Sequence, residues 1–130
     1  MNSRLGPSLL AALVGLALGV VGTFNHRGVI AAGDALLPWG LVVAMLGAAC
    51  FLVGLRLYTD SRLVTLAGTL GLLVPIFLFS IEGPGGSVVI VQDAPGRIWD
   101  LGPAVIAVLV LAWPRLPARG EARGEVRAAD

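Results

Sequence analysis

The sequence predicts an all-α membrane protein, a bundle of four transmembrane helices in one membrane domain that covers residues 1–117. Hydrophobic residues make up 57% of the 130 residues, and charged residues make up 13%. A water-soluble domain of this size needs a more polar surface than that composition provides. The apolar residues also fall into four runs, each near the length with which a helix crosses a bilayer. Segments with polar residues separate these runs, and two of the three contain glycine.

The first two predicted spans cover residues 8–24 and 36–58. Because Arg4 precedes the first span and small residues follow it, this segment has some features of a signal peptide. Its apolar run is longer than a signal sequence needs, however, and further spans follow it. We therefore expect the first span to remain in the chain as a transmembrane helix.

The third and fourth predicted spans cover residues 63–81 and 98–113. Pro75 lies well inside the third span, where it removes a backbone hydrogen bond and predicts a kink in the helix. The fourth span is the shortest, and its first turns contain Asp100 and Pro103. A proline is tolerated near the start of a helix, since that N–H lacks an intrahelical partner.

The distribution of arginine predicts that both termini face the cytoplasm. In a four-span chain, the side with both termini carries seven arginines and the opposite side carries two. Cytoplasmic segments of membrane proteins are enriched in basic residues. Trp39 and Trp99 then fall at the outer interface, and Tyr58 and Trp113 at the inner one, as expected for interfacial aromatic residues. The seven are Arg4, Arg56, Arg62, Arg115, Arg119, Arg123 and Arg127, and the two are Arg27 and Arg97.

The last residues, 118–130, predict a polar and disordered cytoplasmic tail. Arginine and glutamate alternate there in a pattern that a helix would place on opposite faces. Pro117, Gly120 and Gly124 oppose that helix. A disordered basic tail close to anionic lipid is the better interpretation.

Small residues predict how the helices pack. Lipid gives helices no hydrophobic reason to associate, so residues that allow close backbone approach mark the packing faces. Such residues recur at every fourth position in the first two spans, and we interpret them as packing within the bundle rather than as a dimerisation face. They are Ala11, Gly15, Gly19 and Thr23 in the first span and Gly40, Ala44 and Ala48 in the second.

The charged residues argue against several functions. None lies near the centre of a span, where a proton-coupled transporter would need a carboxylate. The net charge of +1 gives no basic surface for nucleic acid. Neither the single cysteine, Cys50, nor the scattered acidic residues have the spacing of a metal motif, so no cofactor is predicted.

A polar cluster on the outer face is the one candidate site. It contains the single histidine of the chain. We favour a structural clasp between the first and third loops, or solvated residues at the ends of spans, over a catalytic or metal site. Arg27 is expected to pair with a carboxylate of the third loop or of the head of the last span. The cluster comprises His26, Arg27, Glu82, Asp93 and Asp100.

The third loop, "EGPGGSVVIVQDAPGRIWD", encloses a short apolar stretch at residues 88–91 between glycines and prolines. That stretch is too short to cross a membrane. It predicts either an extended segment across the mouth of the bundle or a small hairpin arm. Contact with a partner protein or lipid and packing on the bundle itself both remain open.

Several short motifs resemble a known family. They are "GTFNHR" at the end of the first span, "LPWGLVVA" and "GLRL" at the two ends of the second, and the aromatic–Asp pair Trp99–Asp100 after the glycine- and proline-bounded loop. Together they are similar to small integral membrane proteins of high-GC bacteria, a family characterised only as a domain of unknown function. The resemblance covers nearly the whole chain apart from the tail. It implies a four-helix membrane protein and no activity, cofactor or catalytic residue. We expect a multi-pass protein of the bacterial inner membrane.

Three functional hypotheses follow. The first is a non-enzymatic interaction or accessory component of the membrane, with contacts to a membrane-protein partner or lipid at its outer loops. The second is a small transporter or channel subunit that works as an oligomer, with the kinked third span as a moving part. The third is a membrane enzyme that uses His26 and an outer-face carboxylate.

Overall fold

The computed structural model describes residues 3–114, which form four α-helices and one two-stranded β-hairpin. Each helix is long and apolar enough to cross a membrane, so the expectation of four such helices is confirmed. The predicted tail at 118–130 lies outside the described residues. The elements are α1 Leu5–Asn25, β1 Ile30–Ala32, β2 Ala35–Leu37, α2 Trp39–Tyr58, α3 Arg62–Ser80 and α4 Ala94–Ala112.

The starts of α2 and α4 differ from those predicted, and each difference has a local cause. Helix α2 begins at Trp39 rather than at 36, because 35–37 pair with 30–32 in the antiparallel hairpin. Helix α4 begins at Ala94 rather than at 98, because the Asp93 carboxylate caps it by accepting a 3.1 Å hydrogen bond from the Gly96 N–H. The length of an apolar run does not show where a strand precedes a helix or where a carboxylate caps it. Helices α1 and α3 differ from the predicted spans by a few residues at most.

Successive helices run in opposite directions, so the bundle has two chemically different ends. At one end the last turn of α1 contacts that of α3, with the rings of Phe24 and Phe79 5.6 Å apart. We call this the hairpin end; it comprises residues 22–40 and 79–100. At the opposite end Arg56 of α2 hydrogen-bonds the carbonyl oxygen of Trp113, just after α4. We call this the Arg56 end.

Helices α1 and α3 make the most extensive contact of the bundle, and they meet backbone against backbone. A Cβ atom added to Gly15 would overlap the carbonyl oxygen of Gly68, and one added to Gly71 would overlap that of Ala12. The stripe at Ala11, Gly15, Gly19 and Thr23 lies on the buried face of α1. Such close approach lets van der Waals contacts hold helices together where the hydrophobic effect cannot.

Helix α2 places its own small residues inward as well. Gly40, Ala44 and Ala48 are buried. At Gly40 an added Cβ would overlap the carbonyl oxygen of Asn25, so the start of α2 lies directly against the end of α1. The core between the helices is completed by large buried side chains, namely Leu52, Leu72, Ile76 and Trp99.

Pro75 lies inside α3, and the helix continues through it from Arg62 to Ser80. The proline is buried, and its ring faces Gly19, where an added Cβ would lie 2.5 Å from Pro75 Cγ. The proline is therefore part of the contact between α1 and α3. The kink stays a prediction.

Replacing Gly71 by Ala should destabilise the protein by about 1 to 3 kcal/mol, since the new methyl group must displace backbone rather than a flexible side chain. Gly47→Ala is the matched control, because an added Cβ at Gly47 in α2 meets nothing within 4 Å. Thermal unfolding of the detergent-solubilised variants measures both effects. Equal melting temperatures for the two variants would contradict the close approach of α1 and α3.

Candidate functional site

His26 lies inside the protein at the end of α1. Its side chain is 1% exposed, and its Nδ1 lies 2.6 Å from the carbonyl oxygen of Thr23. A carbonyl only accepts hydrogen bonds, so Nδ1 carries the proton and donates it. The solvated-boundary interpretation therefore does not hold for His26. The residue is the C-cap of α1, and its own N–H donates to the Gly22 carbonyl oxygen at 2.8 Å, which keeps the backbone coiled against the bundle.

Trp99 of α4 covers the same turn of α1. Its indole Nε1–H donates to Thr23 Oγ1 at 3.1 Å, and that hydroxyl donates to the Gly19 carbonyl oxygen at 2.7 Å. The indole and the His26 imidazole are nearly parallel, with centroids 6.1 Å apart and an angle of 10°. We call these three residues the Thr23–His26–Trp99 cluster. It joins α1 to α4 through the indole hydrogen bond and the nearly parallel rings.

Gly22 allows the indole to reach this position. A Cβ at Gly22 would lie 2.5 Å from Cζ2 of Trp99, so any larger residue would push the ring away from α1. Trp99 is itself 1% exposed. The sequence suggested an interfacial tryptophan here, and the structure buries it instead. In the sequence, the signal for this contact was the adjacent pair Gly22–Thr23. A residue without a side chain leaves room for the ring, and the neighbouring hydroxyl can accept the indole hydrogen bond.

The Thr23–His26–Trp99 cluster leaves one acceptor open. His26 Nε2 is buried and has no hydrogen-bond partner among residues 3–114. With the proton on Nδ1, Nε2 presents a lone pair that can accept a hydrogen bond or a proton. A buried polar atom without a partner costs folding free energy and is uncommon in proteins. His26 is therefore the group at this end whose bonding the fold leaves incomplete.

Arg27 and Asp93 form a clasp near the surface of the hairpin end. The Arg27 Nη2 lies 2.8 Å from Asp93 Oδ2, with both side chains a little under half exposed. Asp93 Oδ1 also caps α4 through the Gly96 N–H. One carboxylate thus ties the loop after α1 to the start of α4. The carboxylate partner expected for Arg27 is Asp93.

The environment of Asp93 lowers the pKa of its carboxyl group. Desolvation at the helix end acts to raise this pKa. The hydrogen bond from Gly96, the hydrogen bond from Arg27 and the positive charge of Arg27 outweigh it, and the pKa falls below its ordinary value. The ionised form is therefore the one that the folded protein favours.

The other two acidic residues of the predicted cluster are placed differently. Asp100 Oδ1 accepts a 2.7 Å hydrogen bond from the Ser80 hydroxyl, which joins the end of α3 to α4. Glu82 is exposed in the following loop. The predicted cluster thus divides into a buried histidine, the Arg27–Asp93 clasp, the Asp100–Ser80 contact and a separate Glu82. Within residues 3–114, no group of His, Cys, Asp or Glu is arranged to hold a metal ion.

The apolar stretch of the third loop packs on the bundle through its centre. Ile90 is fully buried, and its N–H donates to the Phe79 carbonyl oxygen at 3.0 Å. Val89 and Val91 on either side are 43% and 51% exposed. The segment at 88–91 forms no strand, and its backbone bends at 89–90, so neither the hairpin arm nor a fully extended segment describes it.

Among the described residues the hairpin lies in the first loop instead, where none was predicted. All residues of β1 and β2 are exposed, and Leu36 is 70% exposed. Gly33 in the turn has a φ of +65°, a conformation that glycine adopts without strain. The base of the hairpin is fixed to the bundle by a 3.0 Å hydrogen bond from the Gly40 N–H to the Gly28 carbonyl oxygen.

The fold defines a class of protein: a four-helix bundle whose helices are all long and apolar enough to cross a membrane, with its polar contacts at helix ends. The chain belongs to DUF6113, described as a family of unknown function, whose pattern matches residues 2–125. The resemblance to a family of that description is confirmed, and the match extends into the predicted tail. No curated protein and no solved structure matches the sequence.

Thr23→Val should destabilise the protein by about 1 kcal/mol, because it leaves the buried Trp99 N–H without an acceptor. In the double variant Thr23→Val/Trp99→Phe the donor is removed as well, so the loss should be smaller than the sum of the two single losses. Melting temperatures in detergent complete the cycle. Strictly additive losses would show that the indole and the hydroxyl do not interact.

Acidification should weaken the clasp through Asp93. Because its pKa is lowered in the folded state, its ionised form stabilises the fold above the ordinary carboxyl pKa of about 4. That contribution should be lost as the pH falls below this value and through the lowered pKa. Melting at pH 7 and pH 3 should therefore differ less for Asp93→Asn than for the wild type. Glu82→Asn, in the exposed loop, is the control and should keep the wild-type difference.

Proposed function

We propose that the protein is a four-span protein of the bacterial inner membrane that serves as a non-enzymatic accessory component, with both termini in the cytoplasm. Its hairpin would then project on the outer side and bind an extended segment of another membrane protein. The observation that carries this proposal is the apolar hairpin, which lies outside the core and is fixed at its base.

The surface of the helices supports the membrane placement. Large apolar side chains point outward along the helices, among them Leu13 at 64%, Phe77 at 66% and Val105 at 57% exposure. Contiguous apolar surface of this extent is unfavourable in water and suits the acyl chains of a bilayer. The excess of arginine on the side of both termini supports the orientation.

The hairpin supports the interaction role. It has two strands, so each strand has one edge whose backbone N–H and C=O groups face no neighbouring strand. Such edges can receive an extended segment as an additional strand. Ile30, Leu36 and Leu37 are 54%, 70% and 53% exposed and offer apolar contacts to that segment.

The rest of the hairpin end favours a fixed scaffold over a catalytic or transport role. The Nδ1–H of His26 donates to a backbone carbonyl oxygen, and the Trp99 indole lies nearly parallel to its ring. The carboxylates nearby are engaged by Arg27 and Ser80. Helices α1 and α3 are interlocked at Gly15 and Gly71, which opposes sliding of one helix along the other.

A photo-crosslinking amino acid in place of Leu36 should give a discrete adduct with a second protein in intact cells. The control is Leu13, equally apolar and 64% exposed on α1, where the surrounding lipid should give no protein adduct. An adduct of two copies of this chain would favour the oligomer alternative. Equal yields of protein adducts at Leu36 and Leu13, or none at Leu36, would contradict the proposal.

The orientation is tested separately by single cysteines at Asp34 and Asp60 in a Cys50→Ser background. A membrane-impermeant maleimide should label the first and not the second in intact cells. Labelling at position 60 alone would show that the orientation is the reverse of the one proposed. The crosslinking result would still test the interaction role.

A further inference from the structure

At the Arg56 end, a groove of about 370 Å³ runs between α2 and α4. On α4 it extends from Ile106 to Trp113, a length of about 10 Å along the helix axis. All side chains that line it are apolar apart from Arg56. The α2 side is formed by Val53 and Leu57, and the α4 side includes Leu109.

Arg56 is fixed at the end of this groove. Its Nη2 donates to the carbonyl oxygen of Trp113 at 2.9 Å, which holds the guanidinium across the ends of both helices. A guanidinium carries five N–H donors, so this bond leaves others for a further acceptor. Among residues 3–114 the salt bridge found joins Arg27 to Asp93 at the other end, and it does not involve Arg56.

The charged residues at this end indicate which kind of molecule fits the groove. The acidic residues that the structure describes are Asp34, Asp60, Glu82, Asp93 and Asp100. Of these, Asp60 lies at the Arg56 end, next to Arg62, and the others lie at the hairpin end or in its turn. Residues 3–114 of a second copy would therefore bring one carboxylate, that of Asp60, to this end. A lipid with a phosphate group and an acyl chain supplies both the charge and the apolar shape.

We propose that the groove between α2 and α4 binds one anionic phospholipid, with its phosphate on the Arg56 guanidinium and an acyl chain along Val53, Ile106 and Leu109. The Trp113 carbonyl sets the guanidinium at the level where the helices end, which is the level of lipid headgroups in a spanning bundle. The proposal rests on the membrane placement given above and is independent of the hairpin and its partner.

The test uses the full chain reconstituted in bilayers of equal parts phosphatidylglycerol and phosphatidylethanolamine, followed by native mass spectrometry of the released protein. The wild type should retain one phosphatidylglycerol in preference to phosphatidylethanolamine. Arg56→Gln should reduce that preference about fivefold, the effect of losing one partly exposed charge-assisted hydrogen bond. Arg62→Gln is the matched control, since Arg62 lies at the same end but outside the groove.

Val53→Trp tests the groove without changing charge. The indole should fill the space and lower the retention of both lipids, whereas Val42→Trp, on α2 nearer the hairpin end, should not. Melting temperatures show whether each variant is folded. Equal loss of preference in the two arginine variants, or unchanged retention in Val53→Trp, would overturn the lipid site.

A dimer that Val53→Trp dissociates would assign the groove to a second copy instead. A protein that does not enter bilayers at all would overturn the membrane placement itself. A membrane-embedded protein without lipid preference would overturn this site alone.

Discussion

The rest of the bundle depends on the backbone contact between α1 and α3. Glycines at 15, 19 and 71 let the two helices meet without intervening side chains, and the helices run in the same direction. Their last turns therefore reach the same level, and Phe24 contacts Phe79 there. The start of α2 lies against the last residue of α1 at this level, at Gly40 and Asn25.

The two ends of the bundle are held in different ways. At the hairpin end, directed polar contacts join the elements: Trp99 to Thr23, Arg27 to Asp93, and Ser80 to Asp100. Each involves α4, so that helix is positioned by polar bonds as much as by packing. At the Arg56 end a bond from Arg56 to a backbone carbonyl oxygen spans α2 and α4, and an apolar groove lies between their side chains.

The two ends of the bundle are therefore suited to different partners. A rigid, cross-linked hairpin end is suited to present a small sheet edge to a protein, because a fixed edge costs less to order on binding. The opposite end, with a fixed cation beside an apolar groove, is suited to a lipid. Both uses require a stationary scaffold, and the interlocked glycines of α1 and α3 provide one. His26 Nε2 remains the buried acceptor whose partner the described residues do not supply.

The sequence by itself determined the number of helices, their approximate limits and the inward face of α1, because apolar length and glycine spacing act locally along one helix. It also predicted that Arg27 would find a carboxylate. Only the tertiary structure decided that this carboxylate is Asp93, that His26 is buried beneath Trp99, and that the hairpin lies at 30–37 rather than near 88–91. Those outcomes depend on which helix ends meet, and residues far apart in the chain, such as Thr23 and Trp99, come together only when the helices pack.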